Sequence, residues 1–336
     1  MLAAGLSACG GGTQSSLPST GQQSGVLSGQ RSIESIEEAG DVTAADANAA
    51  SGARTIYRHA LGRVGAPVAV PVATAPVGFF ADEPGGNLLD HHGPRLETVI
   101  SHNVYINCGK PLDCWGDPAG FLQNLAQSNF IHVADQYIGL PGSDRYTVGT
   151  SQKLKYPTPN NILYDVDIET IVHHVAAKLG AGYTHEYHVF LPQGTDECFD
   201  GVSGICYSPD NLKTFAFCAY HSYVDFADIG HILYSVEPYQ ETPGCGDTYT
   251  PTNAPKGSGA PPHTLTDSTA TVVSHELFET ITDPNGSAWF NAFGFEIGDL
   301  CAFHRNVINL NGTNYTIQPE WSNRANAGAG DCVTHT

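Results

Sequence analysis

The sequence predicts an α+β domain that combines a mixed or antiparallel sheet, one site-bearing helix and a disulfide-tied C-terminal part. Three observations lead to this prediction. Segments rich in β-branched and aromatic residues alternate with amphipathic helical segments between residues 98 and 236. A further helical segment, in the last third of the chain, carries adjacent histidine and glutamate side chains. Beyond it the sequence turns irregular and contains two cysteines, Cys301 and Cys332.

The predicted strands share runs of Val, Ile, Tyr and Phe bounded by turn residues. They span residues 98–106, 186–191, 215–226 and 229–236. Two helices are predicted between the first two strands. One begins at Asp117, where the following proline occupies a favoured first-turn position, and the other runs from an Asp167 cap to Gly180.

The site-bearing helix follows a Pro/Gly-rich loop over residues 238–262. Its start is predicted at Asp267 or Ser268, either of which is a suitable cap. Its end is predicted at Asp283, because the proline that follows cannot continue a helix. No internal repeat interrupts this order, so one domain is expected.

His275 and Glu279 lie four residues apart on this helix and therefore project from the same face. Glu276 lies beside them. The pattern is that of a zinc-peptidase H-E-x-x-H helix in which glutamate replaces the second histidine, so the predicted fold is zincin-like. The competing interpretation is a solvated helix face with three ordinary polar residues.

A later acidic segment supplies a third ligand for this helix. Glu296 and Asp299 precede Cys301 in an otherwise apolar run, and either carboxylate completes a three-ligand site with room for water. One imidazole with two carboxylates is an oxygen-rich set. Zinc is the expected ion, with manganese or calcium as alternatives.

Such a site predicts hydrolysis. Glu276 is the candidate general base, which takes a proton from a metal-activated water. His221, on a predicted strand before the helix, is a candidate donor to a developing oxyanion, or else a histidine packed on the sheet. An exposed edge strand beside the helix would bind an extended peptide substrate. The other histidines, including His188, are expected to have surface or core roles.

Composition restricts the partners. The chain of 336 residues has 14 Lys+Arg against 34 Asp+Glu, a formal net charge of −20. A field of that sign repels phosphate backbones, which disfavours nucleic acid as a partner. The acidic, lysine-poor composition is typical of an exported protein, and a monomer is expected.

The N-terminal residues predict where the protein resides. Residues 1–9 resemble the end of a bacterial lipoprotein signal, with Cys9 as the lipid-bearing residue, and a true leader is expected upstream. Residues 10–95 are biased toward Gly, Ser, Ala and Pro and are predicted to be a low-complexity tether. The folded domain is then residues 96–336, in the cell envelope or secreted. The membrane is contacted only through lipid on Cys9.

Eight cysteines remain after Cys9, an even number that suggests disulfides in an exported chain. Sequence alone does not fix the connectivity, but proximity favours Cys108–Cys114 and Cys198–Cys206, which leaves Cys218–Cys245 and Cys301–Cys332 as longer links. A zinc site of thiolates is less favoured because no C-x-x-C spacing occurs.

The chain also resembles the phosphate-induced protein 1 family, which includes the plant EXORDIUM proteins. The resemblance covers roughly residues 96–335 and is densest in the last third. It is carried by segments 217–223, 245–246, 272–279, 283–284 and 296–301 with Trp289, and by a matching end at 320–323 and Cys332. It implies an exported, cysteine-containing protein linked to the cell wall. Two functions are therefore predicted: an exported metallopeptidase acting on peptides or proteins, or a non-catalytic binding protein for cell-wall carbohydrate on a zincin-like scaffold.

Overall fold

A mixed sheet of eight strands forms the centre of the computed structural model, which describes residues 35–63, 71–72, 75–76, 86–139, 146–245, 264–302 and 304–336. The strands are β1 (Ile36–Glu38), β2 (Arg54–Gly62), β3 (Val99–Ile106), β4 (Tyr146–Val148), β5 (Ser151–Leu154), β6 (His185–Phe190), β7 (Phe217–Phe226) and β8 (Gly230–Glu237). Their order is β1-β5-β3-β6-β8-β7-β2, and β4 also pairs with β3.

One strand of this sheet, β7, runs opposite to all the others. Neighbouring strands in the order β1-β5-β3-β6-β8, and the pair β3-β4, are parallel, whereas β7 pairs antiparallel with both β8 and β2. The predicted mixed character is confirmed. The four strands predicted from sequence correspond to β3, β6, β7 and β8.

Six α-helices accompany the sheet in the described part of the chain. They are α1 (Ala44–Gly52), α2 (Pro111–Trp115), α3 (Pro118–Ala126), α4 (Asp135–Ile138), α5 (Asp165–Leu179) and α6 (Leu265–Thr282). Short 3-10 turns occur at Ile131–Ala134, Pro159–Asn161, Asp299–Cys301 and Asn326–Gly328.

The capping residues show why these helices begin where they do. Asp117 caps α3 as predicted, accepting from the backbone N–H of Gly120. The start of α6 predicted at Asp267 or Ser268 is a few residues too late. Thr264 is the N-cap, and it forms a capping box with Asp267, which is the third helical residue.

The helices cover the two faces of the sheet. On one face, α5 packs its buried Ile168, Ile171 and Val172 against the apolar side chains of the strands. On the other face, α6 packs beside α3 over a second apolar cluster that includes Leu277 and Ile281. Burial of both faces explains why most strand residues are inaccessible to water.

The tether predicted for residues 10–95 requires a correction. Residues 36–62 form β1, α1 and β2, and β2 pairs with β7 along most of its length. β1 has only three residues, and β2, although nine residues long, gains its stability from cross-strand pairing with β7 that no local sequence pattern reports. Cys9 and the first part of the predicted tether lie outside the described residues.

Small antiparallel sheets complete the fold. A hairpin of Asn306–Leu310 and Thr313–Ile317 packs on α6, and Glu320–Ser322 pairs with Asp331–Val333. Further short strands are Pro71–Val72 with Ala75–Pro76, Leu89–Asp90 with Trp289–Phe290, and Asp196–Cys198 with Cys206–Tyr207 and Ile162–Tyr164.

The four predicted disulfides are confirmed, and they indicate that the protein folds in an oxidising environment. Cys301–Cys332 ties the acidic segment to the last strand, 31 residues further on. In the part of the chain that is described, no helix has the length and hydrophobicity needed to cross a bilayer.

Removing the Cys301–Cys332 disulfide by Cys301→Ala, Cys332→Ala is expected to lower the free energy of unfolding by about 3–4 kcal/mol, because it closes a loop of 31 residues. The control is Cys108→Ala, Cys114→Ala. That pair closes only 6 residues, and its loss should cost about 2 kcal/mol. Urea denaturation of both variants measures the difference. A smaller loss for the longer loop would contradict the prediction.

Candidate metal centre

Helix α6 is enclosed on all sides, which excludes the interpretation of its polar residues as a solvated face. Every residue from Asp267 to Thr282 is buried. The sheet lies below it, and α3 and the C-terminal hairpin cover the rest. His275, Glu276 and Glu279 therefore project into the protein interior, where polar groups need partners.

The two predicted helix ligands meet at one point. His275 Nε2 lies 3.0 Å from Glu279 Oε1, as expected for positions one turn apart. Asp299 joins them, with Oδ1 3.9 Å from His275 Nε2 and its backbone N–H donating to Glu279 Oε1. Of the two carboxylates predicted as the third ligand, Asp299 is therefore the one that converges with His275 and Glu279.

His59, from β2, is a fourth donor that the sequence analysis missed. Its Nε2 lies 2.7 Å from Asp299 Oδ2 and 4.0 Å from Glu279 Oε2. The residue is directly opposite His221 in the pairing of β2 with β7. The only sequence signal was a histidine within the alternation Tyr57, His59, Leu61, in a segment interpreted as tether.

Glu296 does not lie beside His275; it lies in a neighbouring group with Tyr57, His59 and His221. Its Oε1 is 3.2 Å from His59 Nδ1 and accepts a hydrogen bond from the Tyr57 hydroxyl. Its Oε2 is 3.6 Å from His221 Nε2. The predicted ligand Glu296 and the predicted oxyanion donor His221 thus face each other, with His59 between this group and the helix ligands.

Glu276 is fully buried, and neither of its carboxylate oxygens has a hydrogen-bond partner. One oxygen lies within 4.8 Å of the ligand atoms of His275 and Glu279. Burial, with the nearby charges of Glu279 and Glu237, raises its pKa well above the usual range. A carboxyl group in this position can accept or return a proton next to the ligand cluster.

The histidine rings are oriented by neighbours on their other nitrogen. His275 Nδ1 lies 3.4 Å from Gln318 Oε1, and the amide of Gln318 in turn donates to the carbonyl of Gly298. His221 Nδ1 lies 3.1 Å from the Thr280 hydroxyl. Such contacts fix ring orientation and leave Nε2 directed at the cluster, as around metal ions in proteins.

Unpartnered atoms concentrate at this cluster. His221 Nε2, Glu279 Oε2 and Glu296 Oε2 are all buried and make no hydrogen bond, and His275 Nε2 contacts the carboxylate of Glu279 as an ion pair. Ligands at 2.0–2.2 Å from one tetrahedral ion would lie about 3.3–3.6 Å from each other. The distances of 2.7–4.0 Å between donors bracket this value. The residues present therefore fit a metal ion.

The charges around the cluster also favour the binding of a metal ion. Burial disfavours the imidazolium of His59, but the charges of Glu296, Asp299 and Glu279 outweigh it and raise its pKa well above normal. Burial would raise the pKa of Asp299, yet the charge of His59 holds it below its usual value. Burial raises the pKa of Glu296. The cluster is an anionic environment that favours a cation.

Two further features surround the cluster. Glu320 is fully buried with no hydrogen bond to its carboxylate, and burial together with the charges of Glu279 and Asp299 raises its pKa.

A row of buried polar side chains also crosses five strands of the sheet under α6. It runs from Asn103 through His188, Ser235 and His221 to His59.

Comparison with known proteins identifies no relative: no family model matches, no curated protein matches, and no solved structure matches.

Gly298→Ala is expected to weaken the binding of a divalent cation at this centre by about tenfold or more, as for other changes to residues that orient ligands. A Cβ at this position would lie 2.5 Å from His275 Nδ1 and would displace the ring. The φ of −75° suits alanine, so the effect is steric. Isothermal titration with zinc measures it. Gly109→Ala is the control because a Cβ there meets nothing within 4 Å; equal affinities would contradict the prediction.

The metal-free protein is expected to lose stability as the pH rises from about 4 to about 8. Burial raises the pKa of Asp283 from 3.8 to about 6 and that of Glu237 from 4.5 to about 8. A carboxyl with a higher pKa in the folded state costs free energy once the pH exceeds its unfolded pKa, and the cost grows until the folded pKa is passed. Melting temperatures in EDTA across this range test the sign. A rising melting temperature would disprove it.

Proposed function

We propose that this protein is a metal-dependent hydrolase of an oxidising compartment, with a zincin-like centre that acts on peptides. The observation that carries the proposal is that His275 Nε2 lies 3.0 Å from Glu279 and 3.9 Å from Asp299, beside the unpartnered carboxyl of Glu276. Three ligands next to a proton-accepting carboxylate form the arrangement of hydrolytic zinc sites.

The ion would be held by His275, Glu279 and Asp299, which leaves one position of a tetrahedral site for water. The imidazole of His59, 2.7 Å from Asp299, adds a nitrogen donor next to this set, which favours zinc over calcium. When bound, zinc lowers the pKa of a water and polarises a carbonyl. The proposal of zinc rests on these donors alone, and manganese remains compatible with them.

The side chains of the protein supply proton transfer and positioning. Glu276 would take the proton of the attacking water and return it to the leaving amine. Burial raises the pKa of this carboxyl above its usual range, which helps it hold the proton between the two steps. The end of the sheet at β2, next to His59, would hold an extended peptide through backbone hydrogen bonds.

The second candidate is a non-catalytic binding protein whose centre holds a structural ion. The observation that favours it is burial: among the candidate ligands, Asp299 is the most exposed at 6%. Closed sites are typical of structural ions, whereas catalytic sites keep a position open. Of the aromatic residues considered for carbohydrate contacts, Trp115 and Tyr220 are fully buried and Tyr223 nearly so, whereas Trp289 is half-buried.

Export and envelope attachment belong to the same proposal. The disulfides support an oxidising compartment, and the resemblance to the phosphate-induced protein 1 family supports a secreted or cell-wall role. Lipid on Cys9 would place the domain at the membrane surface. A peptide or cell-wall partner, the absence of nucleic acid and the monomeric state stay predictions.

Glu276→Gln is expected to retain zinc but to lose peptide cleavage by about 10²–10⁴-fold, because the amide cannot take the proton. The double variant His275→Ala, Glu279→Ala should lose both the ion and the activity. Elemental analysis and a peptide-library cleavage assay on the full chain measure the two effects. Glu97→Gln, at an exposed position, is the matched control.

The outcomes separate the two candidates. Zinc in the native protein with no cleavage of any peptide favours the structural ion. No metal in the native protein, even after addition of zinc, would reject the metal centre and with it the hydrolytic mechanism. Full activity in Glu276→Gln would remove this residue from the role of base.

A further inference from the structure

The geometry points to a second metal ion in the same centre, and we propose that His59, His221 and Glu296 hold it. The centre would then be dinuclear, with the first ion on His275, Glu279 and Asp299. This inference rests on the proposed metal centre and extends it. The second ion is a divalent cation that accepts nitrogen and oxygen ligands, and zinc is the expected one.

The donor atoms of the second group are available and close together. His221 Nε2 and Glu296 Oε2 are both buried, have no hydrogen-bond partner, and lie 3.6 Å apart. His59 Nδ1 is 3.2 Å from the other oxygen of Glu296. These separations match the roughly 3.3–3.6 Å between ligands of one tetrahedral zinc ion.

The neighbours of this group orient the donors toward a common point. The hydroxyl of Thr280 contacts His221 Nδ1, which leaves Nε2 as the ligand atom. The hydroxyl of Tyr57 donates to Glu296 Oε1, so that Oε2 stays directed at His221. His221 Nε2 has no hydrogen-bond partner among the described residues and lies beside the equally unpartnered Glu296 Oε2, so a cation between the two atoms would satisfy both.

Two residues connect the second group to the first. Glu279 Oε1 lies 3.0 Å from His275 Nε2, whereas its Oε2 lies 3.9 Å from His221 Nε2. The ring of His59 directs Nε2 at Asp299 and Nδ1 at Glu296. A carboxylate shared between ions about 3.5–4 Å apart is how two-metal hydrolytic sites are built.

Charge gives an independent reason for two ions. Glu279, Glu296 and Asp299 are buried together, and the ion pairs that the described residues provide for them are all with histidines. One divalent cation leaves one of these three negative charges to be compensated by protonated His59, and more with Glu276 or Glu320 ionised. A second divalent cation takes over that compensation, so that His59 is neutral and its nitrogen is free to act as a ligand, with a fourth ionised carboxylate balancing the two ions.

The test is the number of zinc ions per chain. The full-length protein is equilibrated with zinc, separated from free metal and analysed by elemental analysis, with circular dichroism as the check of folding. We expect two ions in the native protein and one in Glu296→Gln, a substitution that keeps the volume and removes the charge. If Glu296→Gln does not fold, His221→Asn is measured in its place with the same expectation.

His188→Asn is the matched control. His188 is also a fully buried histidine. It lies in the same row as His221, on the opposite side of Ser235, which pairs with both residues. Its Nδ1 contacts the Ser235 hydroxyl rather than the ligand cluster. It should keep both ions. Loss of one ion in this variant as well would indicate a general effect of buried substitutions and would overturn the assignment.

The remaining outcomes separate this inference from the proposed function. A single ion in the native protein that Glu296→Gln retains and His275→Ala loses would overturn the second site and leave the first intact. Two ions in the native protein and in Glu296→Gln alike would overturn the ligand assignment. No ion in any variant would overturn both proposals.

Discussion

The burial of acidic side chains between α6 and the sheet is the constraint on which the centre depends. Glu276, Glu279, Glu296 and Asp299 are removed from water together with three histidines. Ionised carboxylates in an interior are tolerated only when paired with cations or hydrogen-bond donors. The histidines provide part of that compensation, and backbone N–H groups provide more, since Glu296 donates its N–H to Asp299 and Asp299 donates its N–H to Glu279.

The surrounding fold holds these groups at fixed separations. α6 and the sheet supply rigid backbone for His275, Glu279, His221 and His59, whereas Glu296 and Asp299 lie in a segment with little regular structure. That segment is tied at Cys301 to the last strand and is paired through Trp321 with Ile297. A loop carrying ligands can be as well positioned as a helix when it is cross-linked in this way.

The two faces of the sheet differ in the kind of side chains that they bury. The α5 side is closed by an apolar core, which supplies much of the hydrophobic stabilisation. On the α6 side, polar residues such as His188, Ser235 and His221 form a continuous row beneath the helix. They take positions that apolar side chains would otherwise fill, so this face contributes less hydrophobic stabilisation. Proteins accept such a cost mainly at functional sites, where perturbed pKa values gather.

The sequence by itself determined the local features of the centre. The spacing of His275 and Glu279 places both on one helix face in any context. Proximity in sequence predicted Cys108–Cys114 and Cys198–Cys206, and the remaining four cysteines then gave the two longer pairs. The strands β3, β6, β7 and β8 were also evident, because their apolar runs reflect burial on both faces.

Only the tertiary structure decided which distant groups join the helix. His59 lies 240 residues before Asp299, and it reaches the centre because β2 pairs with β7 and places it opposite His221. The separate positions of Glu296 and Asp299, three residues apart, depend on a turn that directs one toward Tyr57 and the other toward His275. Pairing between strands and the course of an irregular loop are set by packing across the whole domain, which local sequence patterns do not encode.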